Sequence, residues 1–124
     1  MDRTELFNYL EGAISPADLQ EKIWKELKTF EYGLLETGRS AEIIYNGDNE
    51  SILFTAKHLK RLCTDYVNGS VNHIFLSYCA DALLLSEHTI YAREPLQEHL
   101  EQLTDFEING LLTDDSVRGI LRTL

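Results

Sequence analysis

Glu94, Glu98, Glu101 and Asp105 recur at steps of four, three and four. At about 100° per residue this spacing puts all four carboxylates on one helix face, opposite Leu96, Leu100 and Leu103. Like charges so placed disfavour an isolated helix by roughly 0.2–0.5 kcal/mol per pair. No Lys or Arg follows Arg93 within the segment to relieve them. The chemistry open to such a stripe is recognition, because a carboxylate face speeds encounter with the Lys and Arg of a partner and selects among partners. A solvated helix face is the plain alternative. Glu107 follows closely, and Glu42, Asp48 and Glu50 offer a second acidic edge. Asp81 stands between Ala80 and Ala82 in the most apolar stretch of the chain. A carboxylate there needs a cap, an ion-pair partner such as Arg, or a place on a binding surface.

Other constellations are weaker. His58, His73, His88 and His99 form no His-x-x-x-His pair, and Glu87-His88 and Glu98-His99 are neighbours whose side chains diverge on a helix. They read as solvated surface histidines. Cys63 and Cys79 lie on apolar helix faces, where thiols are inert, and read as buried free thiols and not as a disulfide. The turn Asn46-Gly47-Asp48-Asn49-Glu50 lacks both a P-loop lysine and calcium-loop spacing. The expectation is a protein without catalytic residues, cofactor or metal.

The elements that must carry these residues are helical nearly throughout. Asp2 and Glu5 suit a capping pair for a helix over Arg3–Leu10. Ser15-Pro16 opens a second, with a stripe of Leu19, Ile23, Trp24, Leu27 and Phe30. Residues 36–50 are irregular and read as a loop. A third helix begins near Thr55, shows Leu59, Leu62, Cys63, Tyr66 and Val67 on one face, and stops at Gly69. Asn72 caps a fourth, apolar almost all round from Ile74 to Leu85 and so the most buried. The acidic stripe belongs to a fifth helix from Glu94-Pro95. After a turn at Asn109-Gly110, Thr113 caps a last one bearing Val117, Ile120, Leu121 and Leu124. The sequence thus predicts an all-α fold: one domain, 1–124, a compact bundle of about five to six helices built from antiparallel hairpins.

Twenty-one Asp and Glu face eleven Lys and Arg, a net charge of −10 on 124 residues. Residues 1–61 carry −3 and residues 62–124 carry −7. Such a balance argues against nucleic acid and anionic membranes as ligands. No apolar run approaches the roughly 18 residues of a membrane span, and the polar start is unlike a signal peptide, which predicts a cytoplasmic protein.

One pattern repeats. Tyr9-Leu10-Glu11-Gly12-Ala13-Ile14-Ser15 recurs as Tyr66-Val67-Asn68-Gly69-Ser70-Val71-Asn72, with Leu19 answered by Leu76. Each copy ends a helix at Gly and caps the next with Ser or Asn. A common hairpin solution and an internal duplication both account for it. This turn, the acidity and the run Phe75 to Leu85 give a chain that resembles the immunity proteins of bacterial toxin systems, of colicin or contact-dependent growth-inhibition type. The Tyr-Tyr pair of the DNase-colicin branch is absent. The resemblance implies a monomeric inhibitor that binds a cognate toxin C-terminal domain one to one, a basic nuclease, without chemistry of its own. The contact residues are then expected among Glu94, Glu98, Glu101, Asp105, Glu107, Glu42, Asp48, Glu50 and Asp81. An α-helical adaptor that grips its partner in an apolar groove is the alternative, and a small enzyme a distant third.

Overall fold

Each of two helix hairpins is closed by backbone pairing between the residue that enters it and the residue that leaves it. The computed structural model describes residues 1–35, 43–47, 49–104 and 114–124, without the side chains of residues 34, 35 and 114. In the first hairpin, α1 (Arg3–Leu10) and α2 (Pro16–Leu35) lie between Asp2 and Asn46, which form a parallel bridge. In the second, α3 (Ala56–Val67) and α4 (His73–Leu85) lie between β1 (Ile52–Phe54) and β2 (Thr89–Tyr91). These strands pair in parallel with Ile52 opposite Thr89, Leu53 opposite Ile90 and Phe54 opposite Tyr91. Two further helices follow, α5 (Glu94–Thr104) and α6 (Asp114–Arg122). The six helices among the described residues make the fold helical, as the periodicity predicts. The small sheet is an addition to that expectation.

The repeated turns share three of their hydrogen bonds and differ at the residue after the glycine, where the Ala13 N–H donates to the Asn8 carbonyl and the Ser70 N–H to Asn68 Oδ1. Gly12 and Gly69 sit at φ 88° and 85°, the left-handed conformation that ends a helix with no Cβ in the way. The Gly12 N–H donates to the Tyr9 carbonyl at 3.0 Å and the Gly69 N–H to the Tyr66 carbonyl at 3.2 Å. Two residues on, Ile14 returns to the Asn8 carbonyl (3.4 Å) and Val71 to that of Asp65 (3.1 Å). Ser15 Oγ accepts from the Asp18 N–H at 3.1 Å, and Asn72 Oδ1 from the Phe75 N–H at 2.9 Å, which caps α2 and α4. Leu19 and Leu76 are fully buried beyond them.

The core gathers around α4, buried from Ile74 through Ala80 and again at Ala82 and Leu83. It packs on α2 and α5. Tyr9, Phe30, Phe54, Phe75 and Tyr78 are the largest side chains inside. The buried Met1 amine lies 2.7 Å from both Glu26 carboxylate oxygens and 2.9 Å from the Ile44 carbonyl. Tyr78 donates to the same Glu26 at 2.8 Å, joining α2 and α4 to the start of the chain.

Trp24 departs from its expected place in the α2 stripe and is 53% exposed. At about 100° per residue it lies about a third of a turn from the axis shared by Leu19, Ile23 and Phe30, outside the sector that faces α4.

Candidate functional site

Helix α5 buries Leu96, Leu100 and Leu103 completely and leaves Glu94, Glu98 and Glu101 exposed on the opposite face. Burial of each leucine stabilises by roughly 1.5–3 kcal/mol, well above the cost of aligning the carboxylates, so the helix forms in spite of them. None of the three Glu side chains has an ion-pair partner among the described residues. The half-buried Tyr91 hydroxyl has its pKa raised by desolvation and then by the nearby Glu101 charge.

The remaining predicted residues are less clearly assembled. Glu50 is exposed, and its backbone carbonyl accepts from the Arg3 guanidinium. Asp105, Glu107, Glu42 and Asp48 lie outside the described residues. Asp81 is partly buried on α4 and has neither cap nor ion-pair partner among the described residues. Desolvation pushes its carboxyl up to about 6.

A cleft of about 730 Å³ opens elsewhere, between the α1–α2 turn, β1 and the first turns of α3. Lys57, Lys60 and Arg61 line it, with Leu10 and Leu53. Arg61 is held from beneath: its Nε lies 3.1 Å from Asp65 Oδ2, unaligned for a hydrogen bond, and its guanidinium sits 5.3 Å from the Tyr9 ring centroid. Tyr9 in turn donates to Asp65 Oδ2 at 2.7 Å. Burial and that carboxylate drive the Tyr9 phenol far above its ordinary pKa. The run Lys57-His58-Leu59-Lys60-Arg61 was the sequence signal for this site. Only the fold brings Leu10 and Leu53 against it.

His58 corrects the expectation of four solvated histidines: it is 7% exposed. Its ring lies edge-on to Phe7 at 5.2 Å and tilted to Phe54 at 5.7 Å. Nδ1 accepts the Thr55 N–H at 3.1 Å, so the ring proton resides on Nε2, 3.5 Å from Glu11 Oε1. Desolvation lowers its pKa below 6.5, against a smaller upward pull from Glu11. His73 is exposed, and His88 and His99 are half-buried.

Cys63 and Cys79 are free and buried, and desolvation pushes the Cys63 thiol up to about 12 and Cys79 higher still. Among the described residues no cluster of three His, Cys, Asp or Glu is placed to hold a metal. No described helix is long and apolar enough to cross a membrane. Comparison with protein-family models, with curated proteins and with solved structures finds no match for this chain.

Proposed function

We propose that this protein is a stoichiometric inhibitor, an immunity protein that neutralises the basic C-terminal domain of a bacterial toxin, most plainly a nuclease, by binding alone. The observation that carries the reading is the α5 face, where Glu94, Glu98 and Glu101 stand exposed and without cationic partners among the described residues. A chain of net charge −10 that leaves these carboxylates unneutralised holds negative potential ready for Lys and Arg of a partner. Asp105 is the next step of the stripe in sequence and Glu107 follows closely, and Glu50, Glu42, Asp48 and Asp81 are secondary contact candidates. The complex is one to one and cytoplasmic.

The test begins with the gene directly upstream, which this reading expects to encode a large secreted protein with a basic C-terminal domain. That domain should co-purify with the chain. Replacing Glu98 and Glu101 by Lys should then slow association by about tenfold at low salt and flatten its salt dependence, with the fold retained. Association kinetics equal to the parent's would remove α5 from the interface.

An apolar docking surface is the second reading. Leu53 and Ile90, opposite each other on the paired strands, are each 51% exposed. Binding through them would hold or strengthen between 0.1 and 1 M salt, where the Debye length falls from about 10 to 3 Å and a charge-driven complex weakens.

A further inference from the structure

The cations of this chain are outnumbered almost two to one, yet Lys57 and Lys60 have no ion-pair partner among the described residues. Both line the same cleft as Arg61, and their spacing (i, i+3, i+4) places all three heads on one flank of α3. Arg61 is held by its ion pair with Asp65 and from below by the Tyr9 ring, and its Nη atoms have no hydrogen-bond partner among the described residues. A guanidinium anchored in this way keeps its outer edge ready for a bidentate oxyanion. Thr55 and Lys57 bring the first turn of α3 into the wall, where the helix dipole adds positive potential. The volume, about 730 Å³, is that of a small-molecule site and far exceeds one oxyanion. Leu10 and the half-exposed Leu53 give it an apolar patch, beside His58, Thr64 and the carboxylates of Glu11 and Asp65.

We propose that this cleft binds a small phosphorylated molecule with an apolar body, its phosphate held by Lys57, Lys60 and Arg61 and its body packed on Leu10 and Leu53. Phosphate fits better than a lone carboxylate because three cations and a helix N-terminus converge on it, and a dianion uses more of them. Glu11, also on the rim, faces His58 and leaves the lysine flank uncovered. The site does not rest on the α5 reading.

Phenyl phosphate and inorganic phosphate are suitable probes, titrated into isotopically labelled full chain at constant ionic strength and followed by amide shifts. Saturable shifts confined to residues 10–12 and 53–65 are expected, with phenyl phosphate binding several-fold more tightly. The double variant Lys57→Ala/Lys60→Ala should bind at least tenfold more weakly and melt as the parent does, since both side chains are exposed. Leu53→Ser should erase the advantage of phenyl phosphate over phosphate. Non-saturating shifts spread over Lys22, Lys25 and Lys28, or parent-like binding by the double variant, would overturn the site. Tighter binding of a hexaglutamate peptide than of phenyl phosphate would overturn the ligand class in favour of an acidic protein segment. Glu98→Lys/Glu101→Lys should bind phenyl phosphate unchanged, which keeps this outcome separate from that of the toxin reading.

Discussion

His58 serves its own helix as an acceptor, and that fixes how it answers acid. In its capping exchange Nδ1 takes the Thr55 N–H, so a second ring proton would displace that hydrogen bond and charge a group packed against Phe7 and Phe54. With its pKa held below 6.5, the unfolded chain binds the proton first. Stability should therefore fall as pH drops through about 6.5 and continue falling to the lower folded value. His58→Gln keeps an acceptor and removes the titration, so its denaturation midpoint should decline less than the parent's between pH 7 and 5. Asp81 has the opposite sign. Its carboxyl is raised from 3.8 to about 6, so the folded state binds the proton more tightly, and stability falls as pH rises across that interval. Asp81→Asn should stabilise by ~1–2 kcal/mol at pH 7, after allowance for partial exposure, and by nothing below pH 4. The anomaly of Asp81 is legible in sequence, because a lone acid among alanines and leucines stands out. The burial of His58 is not, since Phe7 comes from the other hairpin and Phe54 from a strand.

At the level of elements, whatever is local was readable. The α1–α2 and α3–α4 turns are written in seven residues each, and their caps and glycines fall where the sequence puts them. At both glycines an added Cβ would meet no atom within 4 Å, so substitution acts through the backbone alone. Gly12→Ala and Gly69→Ala should each destabilise by about 1–2 kcal/mol, by closely similar amounts, as read by urea denaturation. A large disparity would mean that the turns are matched in sequence and not in energetics. The strands were hidden for the converse reason. Three residues each, they pair in parallel across two helices, and such a pair has neither a hairpin turn nor a nearby partner to betray it. Leu53 and Ile90 lie 37 positions apart in sequence, and only the register sets them side by side.

For the whole molecule, charge is readable by counting but its geography is not. The excess of acid sits in residues 62–124, and the fold adds that α5 carries it outward while α3 collects Lys57, Lys60 and Arg61 at a cleft. Self-repulsion at net charge −10 opposes compactness, so the melting temperature should rise when sodium chloride goes from 0.02 to 0.5 M. The fold also repeats at this scale. Each hairpin is entered and left by extended residues that pair in parallel, Asp2 with Asn46 and β1 with β2. That order of parts extends the repeated turn to a unit of fold. The sulfur atoms share the fate of this core: Cys63 and Cys79 have no solvent access, one on each helix of the second hairpin. An alkylating reagent can reach them only when that hairpin comes apart. Their rates of modification in native buffer therefore form a built-in clock of how often the molecule breathes, and equal rates at the two positions would mean that both helices let go together.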